Sequence, residues 1–418
     1  MSGSYLHVYL QPLSTTIQGQ GTYIPGDEVA GYVKLYLHKE TTVNTVFVHF
    51  KSECKNQVEQ GKNARYWKSV LFSFRQTLLP GPVKMQAGTY EYPFTFRFPA
   101  TFTFAGNPFT RNSPSFSQAL GRHPLPPSCS GSSSSGAFSI SYTVLAVSER
   151  SLHKWSHNAN LSFVPFRTDA NPNPVLVVSK AGQRPFQHFK LGDDALPRAL
   201  GARESMKNAL HHSDDVSTIN FTLRAKAPTV IVAGRAYPVE VTLLILSNKG
   251  NTDSMPDFRA KNFTLSAKAK TNIRVPVVFS DSIATVETQV LLGSINTDTL
   301  LPLNTPKILN GLLSQPSATL YARTIPAPTF KSVAVSRSYG LELKATIDCL
   351  GEEHKFTVRW WNVTFQSARM EPGVEEAIMS IENIPAVVRD DGEDQEDDQP
   401  PPYEVTQAEG ERLPVYSA

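Results

Sequence analysis

Short stretches in which apolar and polar residues alternate recur along most of the chain. A strand places successive side chains on opposite faces of a sheet, so this two-residue period is typical of strands with one buried face. The stretches are rich in Val, Thr, Tyr and Phe, and Pro, Gly and Asn separate them, as in β-proteins with many turns. The first half of the chain contains five clear examples, namely Tyr5–Leu10, Val29–Leu37, Thr45–Phe50, Tyr92–Phe98 and Phe138–Val147.

A turn is predicted directly before the second of these strands. The segment Tyr23–Asp27 reads Tyr-Ile-Pro-Gly-Asp. Proline presets the backbone of the second position of a type II turn, and glycine supplies the positive φ that the third position requires. We therefore expect the chain to reverse here and to enter the Val29 strand.

The same alternation returns in the second half of the chain, so two all-β domains of similar size are predicted. The first domain is assigned to residues 1–167, a linker or connector to 168–215, the second domain to 216–370 and a tail to 371–418. Prolines and polar residues at Phe166–Pro174 suggest the linker, and Ala195–Asp215 is predicted to be helical or irregular. The predicted strands of the second domain are Ile219–Ala225, Tyr237–Leu246, Asn262–Lys270, Asn272–Phe279, Gly340–Asp348 and Phe356–Trp361.

Two segments are too polar and too long to be core strands by their composition. Phe109–Gly136 contains four prolines and ends in the tract Gly-Ser-Ser-Ser-Ser-Gly, so we expect a mobile loop. Leu291–Pro328 is rich in Thr, Asn and Pro and is expected to be a long loop over the second domain.

The net charge of +3 hides an uneven distribution. Residues 371–418 carry 14 acidic and two basic residues, whereas residues 1–370 carry 23 acidic and 38 basic ones. A body of +15 is thus followed by a segment of −12, here called the acidic tail. The run Asp390–Asp398 buries too little apolar area to offset the entropy of ordering, so the tail is predicted to be disordered. Its charge suggests that it folds back on the basic body, and a solvated tail is the alternative.

The cysteines and the hydropathy pattern predict a cytosolic protein. Cys54, Cys129 and Cys349 are far apart and show no C-x-x-C spacing, so reduced thiols are expected and a zinc site is not. The N-terminal residues lack the basic and apolar regions of a signal peptide, and no run of 18 apolar residues predicts a membrane span.

The sequence contains no pattern of an enzyme, a metal site or a cofactor site. It lacks the G-x-S-x-G, G-x-x-x-x-G-K-[ST], H-E-x-x-H and strand-associated G-x-G-x-x-G motifs. His153 and His157 flank Trp155, but on a strand they do not form a ligand set. Basic residues are scattered without a recognition motif, which argues against nucleic-acid binding. Adjacent Trp360 and Trp361 are expected to point to opposite faces of a strand, one to the core and one to the surface.

The most specific short motif lies in the acidic tail. Pro400, Pro401, Pro402 and Tyr403 fit P-P-x-Y, in which the prolines favour a polyproline II helix that docks in the aromatic groove of a WW domain. Leu413, Pro414 and Tyr416 fit the variant L-P-x-Y. Tyr403 and Tyr416 are separated by a chain that spans about 20 Å, which allows two WW domains of one partner to bind together.

The first domain resembles the arrestin N-terminal domain, and the whole chain resembles an α-arrestin, an arrestin-domain-containing trafficking adaptor of the fungal type. The resemblance covers about residues 5–365. It is carried by Tyr23–Asp27 before Val29–Leu35, by Ala87–Pro99, by Leu125–Ser128 before Ile140–Val144, and in the second domain by Gly234–Asn248 and Ser338–Leu350. The resemblance implies two immunoglobulin-like, arrestin-fold β-sandwiches in tandem.

It also implies a function. Members of this family are non-enzymatic adaptors that bind the cytosolic tails of membrane transporters or receptors and recruit a WW-domain HECT-type ubiquitin ligase, which promotes ubiquitylation, endocytosis and sorting of that cargo. The implied location is the cytoplasm, with peripheral recruitment to the plasma membrane and endosomes, and an anionic membrane surface is a further expected partner. The alternative is an arrestin-fold subunit of an endosomal coat, which needs no ligase motif. The missing signal peptide and the few cysteines disfavour a secreted adhesive protein.

Overall fold

The computed structural model describes most of residues 3–366. The described ranges are 3–11, 22–61, 63–104, 113–117, 121–150, 153–165, 175–211, 216–232, 236–250, 254–276, 281–313 and 327–366. The WW-binding motifs and the acidic tail lie outside them. In these ranges the chain is almost entirely β-structure, which confirms the predicted all-β class.

The first sandwich consists of two main sheets. The strands are β1 (Tyr5–Leu10), β2 (Thr22–Tyr23), β3 (Glu28–Leu37), β4 (Thr41–Gln60), β5 (Asn63–Met85), β6 (Gly88–Arg97), β7 (Thr101–Phe104), β8 (Gly121–Pro124), β9 (Cys129–Ser133), β10 (Gly136–Glu149) and β11 (Lys154–Phe163). One sheet has the order β1-β3-β6, and the other has the order β2-β11-β10-β4-β5 with β9 added to β10. Strands β7 and β8 form a separate two-stranded sheet.

The second sandwich also has two sheets. Its elements are β12 (Leu176–Lys180), β13 (Phe186–Leu191), β14 (Pro197–Ala199), α1 (Ala202–His211), β15 (Ser217–Pro228), β16 (Val230–Val232), β17 (Tyr237–Lys249), β18 (Phe258–Val275), β19 (Ser282–Leu300), β20 (Lys307–Leu313), β21 (Phe330–Lys331), β22 (Val335–Cys349) and β23 (Glu352–Gln366). The sheet orders are β14-β13-β15-β17-β20, with β12 added to β15, and β16-β23-β22-β18-β19, with β21 added to β22.

The two sandwiches repeat one topology. In the first, β1 pairs with β3, β3 with β6, and the short β2 pairs in parallel with β11; in the second, β15 pairs with β17, β17 with β20, and β16 pairs in parallel with β23. The chain of pairs β11-β10-β4-β5 corresponds in the same way to β23-β22-β18-β19. The second half of the chain is therefore a structural repeat of the first, with β12 to β14 added along the outer edge of β15.

The apolar side chains of the alternating strands point into the space between the sheets, as predicted. In the first sandwich Val33 and Leu35 of β3 pack in one core with Phe50 of β4 and Tyr142 of β10, all fully buried. The Tyr142 hydroxyl donates a hydrogen bond to the Pro126 carbonyl oxygen at 2.5 Å. The predicted turn at Tyr23–Asp27 is present, with φ of 89° at Gly26 and with the Ile24 amide donating to Asp27 Oδ2 at 2.9 Å.

The β18–β19 hairpin joins the two sandwiches. Its end nearest the turn contributes Ile273, Val275, Ala284 and Val286 to the core of the first sandwich, together with Phe330, Val333 and Val335. Between these apolar side chains Arg274 is fully buried. Its guanidinium pairs with Asp281 Oδ2 at 3.3 Å, and Nε donates to the Val333 carbonyl oxygen at 3.1 Å. The core of the first sandwich thus extends into the second and encloses an ion pair.

Two predictions of long loops were wrong in the described residues. Within Phe109–Gly136, strand β9 pairs with β10, so the serine tract forms a β-hairpin, and Ser135 Oγ donates to the Thr285 carbonyl oxygen of the second sandwich at 2.9 Å. Within Leu291–Pro328 the chain continues β19 and forms β20. The segment 168–215, predicted as a linker or connector, contains β12 to β14, which extend a sheet of the second sandwich. Helix α1 lies within Ala195–Asp215, the part predicted to be helical or irregular. The predicted boundaries at 167 and 370 lie outside the described residues and stay predictions.

Candidate interaction surfaces

The predicted WW-binding residues have no described position. Pro400, Pro401, Pro402 and Tyr403 of the first motif, and Leu413, Pro414 and Tyr416 of the second, all follow Gln366, where the described part of the chain ends. These residues stay predictions from the sequence. The surfaces that follow belong to the two sandwiches.

The described residues contain no group of three or more His, Cys, Asp or Glu side chains arranged to hold a metal ion. His157 has another role, because its Nδ1 accepts a hydrogen bond from the Val8 amide at 3.2 Å and its ring contacts that of His7 in a tilted arrangement, with centroids 3.7 Å apart. Partial burial, together with the neighbouring His7, lowers the pKa of His157. Among the helices of the described ranges, none has the length and apolar character required to cross a membrane.

All three cysteines are free thiols. Burial raises the pKa of Cys129 to about 12, although Arg337 lies nearby and acts in the opposite direction. Burial, with the neighbouring carboxylates of Asp348 and Glu352, also raises the pKa of Cys349 to about 12. Since the thiolate is the reactive form, these side chains behave as small core residues rather than as nucleophiles.

A cationic cluster surrounds a largely buried carboxylate on the outer face of the first sandwich. Glu53 on β4 pairs with Lys51 Nζ at 2.9 Å, Lys55 Nζ at 3.1 Å and Lys68 Nζ at 3.4 Å. Burial alone would raise the pKa of Glu53, but hydrogen bonds from Lys51 and Lys55 outweigh it and hold the pKa at about 2. The carboxylate is therefore ionised, and the three ammonium groups leave a net charge of two.

The second sandwich has a similar cluster on the corresponding sheet. Glu342 on β22 pairs with Lys268 Nζ at 2.6 Å, Arg359 Nε at 2.8 Å and Lys344 Nζ at 3.8 Å. Burial would raise the pKa of Glu342, but hydrogen bonds from Lys268 and Arg359 lower it overall. The Glu342 side chain is only 3% exposed, whereas the three cations remain largely in contact with solvent. One carboxylate thus fixes cations from three neighbouring strands.

An exposed tryptophan lies beside this second cluster. As predicted, the adjacent tryptophans divide between core and surface: Trp360 is 3% exposed and Trp361 is 68% exposed. The Trp361 ring lies over Gly340 of β22, where an added Cβ would come within 2.9 Å of the Trp360 carbonyl oxygen and 3.3 Å of the Trp361 ring. Glycine at position 340 therefore leaves room for the indole ring to pack on the sheet.

An exposed leucine completes this surface. Leu291 of β19 is 59% exposed and lies opposite Ser266 of β18, which in turn lies opposite Glu342. Together these side chains form a patch that combines apolar and cationic groups, here called the Trp361 face; its members are Lys268, Leu291, Glu342, Lys344, Arg359 and Trp361.

Strand β12, which pairs with β15 in the other sheet, also contacts β23 next to this face. Ser179 Oγ donates to the Arg359 carbonyl oxygen at 2.7 Å, and Trp360 Nε1 donates to the Val177 carbonyl oxygen at 2.8 Å. One backbone group at the edge of β23, the Arg359 carbonyl oxygen, is therefore bonded by a side chain of β12 rather than by a paired strand.

A tyrosine-rich surface covers the outer face of β1 and β3. Tyr5 stacks on Tyr36 with ring centroids 5.2 Å apart, and Tyr9 stacks on Tyr32 at 5.0 Å. Between the two pairs Lys34 forms an ion pair with Glu91 at 3.4 Å. Tyr5 and Tyr9 are exposed, and exposed tyrosines are typical of protein interfaces. The sequence pattern does not single them out, because alternation alone does not tell which aromatic side chains face solvent.

The comparisons with known proteins bear on the first sandwich. Residues 15–106 match the family model described as Arrestin (or S-antigen), N-terminal domain. The match includes the turn at Tyr23–Asp27 and strands β2 to β7, with the Glu53 cluster among them. It confirms the predicted arrestin resemblance for this stretch. The search of curated proteins gave no match to the chain.

Proposed function

We propose that the protein is a non-enzymatic trafficking adaptor of the α-arrestin type, as found in fungi. It binds membrane transporters or receptors through their cytosolic tails and recruits a WW-domain HECT-type ubiquitin ligase, which promotes ubiquitylation, endocytosis and sorting of the bound cargo. The arrestin N-terminal match at residues 15–106 carries the adaptor part of this proposal. The tandem sandwiches support it, because an adaptor needs exposed binding surfaces rather than a catalytic pocket.

The ligase part rests on the two tail motifs. Pro400, Pro401, Pro402 and Tyr403 form the main proposed WW site, and Leu413, Pro414 and Tyr416 form a second site. Each motif alone presents few contacts. Because about 20 Å of flexible chain joins the two tyrosines, simultaneous binding to paired WW domains raises the affinity about 100-fold over one site.

The proposed place of action is the cytoplasmic side of the plasma membrane and of endosomes, where the adaptor is recruited peripherally. The excess of basic residues in 1–370 supports contact with an anionic membrane surface and with acidic segments of cargo tails.

The test is direct binding of the full chain to a tandem WW-domain protein, measured by calorimetry. The variant Tyr403→Ala is expected to bind at least about tenfold more weakly, and Tyr403→Ala combined with Tyr416→Ala is expected to abolish binding. Tyr66→Ala is the matched control, since Tyr66 is an exposed tyrosine of the first sandwich and lies outside both motifs.

Unchanged affinity in the double variant would overturn the ligase part of the proposal. A chain that binds no WW domain at all would favour the coat-subunit alternative, which has the same fold and needs no ligase motif.

A further inference from the structure

We propose that the Trp361 face of the second sandwich docks onto an anionic lipid membrane. This inference deepens the proposed membrane recruitment by assigning it to one surface, and it rests on that part of the proposed function. The face combines an exposed indole, an exposed leucine and three cations on neighbouring strands.

The apolar members of the face are suited to the interfacial region of a bilayer. Tryptophan concentrates at the membrane–water interface because its ring is largely apolar and its N–H needs a polar partner. Trp361 is 68% exposed and is held over Gly340, so it is presented to solvent by the sheet itself. Leu291 adds a second exposed apolar side chain two strands beyond Gly340.

The cations supply the attraction to negatively charged headgroups. Glu342 offsets one of the three positive charges, which leaves a net charge of two on the face. Lys344 makes the longest of the three contacts, at 3.8 Å, and its side chain is 62% exposed, so its ammonium group is free to turn toward a phosphate. Lysine and arginine beside an anionic leaflet each strengthen membrane binding about fivefold.

The face also has a defined orientation. At the hairpin end of β22 and β23, Asp348 and Glu353 lie opposite each other. Six residues of strand separate Glu342 from Asp348, a distance of about 20 Å. The hairpin end carries charges of both signs, since Arg259 lies opposite Asp348, and the cationic excess of the face lies at the end with Trp361. We therefore place that end against the lipid.

An acidic polypeptide is the other class of partner for a cationic face, and the geometry favours it less. A peptide that docks on a sheet commonly gains its affinity by adding a strand at a free edge. Side chains already bond two backbone groups at this edge of β23: Ser179 donates to the Arg359 carbonyl oxygen, and Gln183 accepts from the Thr357 amide. What remains is an open surface with apolar and cationic side chains, which matches the chemistry of a headgroup layer.

The experiment is co-sedimentation of the full chain with vesicles of phosphatidylcholine alone and of phosphatidylcholine mixed with phosphatidylserine. We expect binding to the mixed vesicles and little binding to phosphatidylcholine. Trp361→Ala is expected to weaken the binding about tenfold, and Trp361→Phe to restore part of it. Lys344→Gln is expected to weaken it about fivefold.

Two variants on β5 of the first sandwich are the matched controls. Lys68→Gln removes one positive charge beside the similarly buried Glu53. Tyr66→Ala removes an exposed aromatic ring two residues before Lys68 on the same strand. Binding that is insensitive to Trp361→Ala, or that falls as much in Lys68→Gln as in Lys344→Gln, would overturn the proposal. So would tight binding to a poly-glutamate peptide without binding to the mixed vesicles, since the partner would then be an acidic polypeptide. WW-domain affinity, measured on the same variants, is expected to stay unchanged, which separates this site from the ligase motifs.

Discussion

Asn56, on β4 of the first sandwich, donates its side-chain amide to the main-chain carbonyl oxygen of Arg274, on β18 of the second, at 2.9 Å. The same amide nitrogen donates to the carbonyl oxygen of Ala334 at 3.0 Å, and the Arg274 amide closes the arrangement by donating to that oxygen at 2.9 Å. Asn56 is buried. One side chain of the first sandwich thus satisfies two backbone oxygens of the second.

Replacing Asn56 by leucine keeps the approximate volume of the side chain and removes both donors. Two buried carbonyl oxygens then lose a partner, and we expect the free energy of unfolding to fall by about 2–3 kcal/mol. Chemical denaturation followed by circular dichroism measures the change. Asn158→Leu, at an exposed position of β11, is the control and is expected to change the stability by no more than about 0.5 kcal/mol. Equal effects of the two variants would show that the hydrogen bonds of Asn56 at the junction do not contribute to the stability.

The shared core predicts that the two sandwiches unfold together. Ile273 of β18 is fully buried in the core of the first sandwich, whereas Ile283 on the same hairpin is 53% exposed. Ile273→Ala is expected to destabilise the protein by about 2–4 kcal/mol and to lower the melting temperature of both halves in one calorimetric transition. Ile283→Ala is the matched control, with little expected effect. Two separate transitions, of which Ile273→Ala moved only the second, would contradict a shared core.

Particular residues show how far the sequence determines this fold. The alternation in Tyr5–Leu10 predicts β1 with its exact bounds, and the adjacent tryptophans divide between core and surface as the two-residue period requires. Periodicity is a local property, so it reports these features well. The sequence predicts two strands, Asn262–Lys270 and Asn272–Phe279. Their described residues up to Val275 belong to one continuous strand, β18, because the polar residues between them also pair with β19 and β22.

The missed features depend on contacts between distant residues. The serine tract before Gly136 reads as a loop, but β10 and the distant Thr285 hold it in a hairpin. The Trp361 face is built from residues of four strands, and its cluster forms only because the strand register brings Lys268 and Arg359 to Glu342. Register over a separation of 70 or more residues is set by the packed core, which no local pattern encodes.

The Glu53 cluster predicts a loss of stability in acid. The pKa of Glu53 is about 2 in the folded protein, against an ordinary value of 4.5, so folding favours the ionised form. Its contribution is therefore fully present above about pH 4.5 and is lost as the pH falls toward 2. After allowance for solvent screening of the lysines, we expect a loss of about 1–2 kcal/mol, measured by urea denaturation across this range. The Glu53→Gln variant is expected to be less stable at neutral pH, and its free energy of unfolding is expected to depend less on pH between 4.5 and 2. An unchanged profile in that variant would contradict the assignment.

The opposite charges of the body and the acidic tail predict an effect on membrane binding. If the tail folds back on the basic body, it competes with anionic lipid for the same cations, so deletion of residues 371–418 is expected to strengthen binding to phosphatidylserine-containing vesicles several-fold at low ionic strength. The difference should vanish at high salt, where the Debye length is about 3 Å. A full-length variant in which the acidic residues of Asp390–Asp398 are replaced by Asn and Gln keeps the chain length and should reproduce the effect of the deletion. Equal vesicle affinity of all three proteins at low salt would show that the tail is merely solvated.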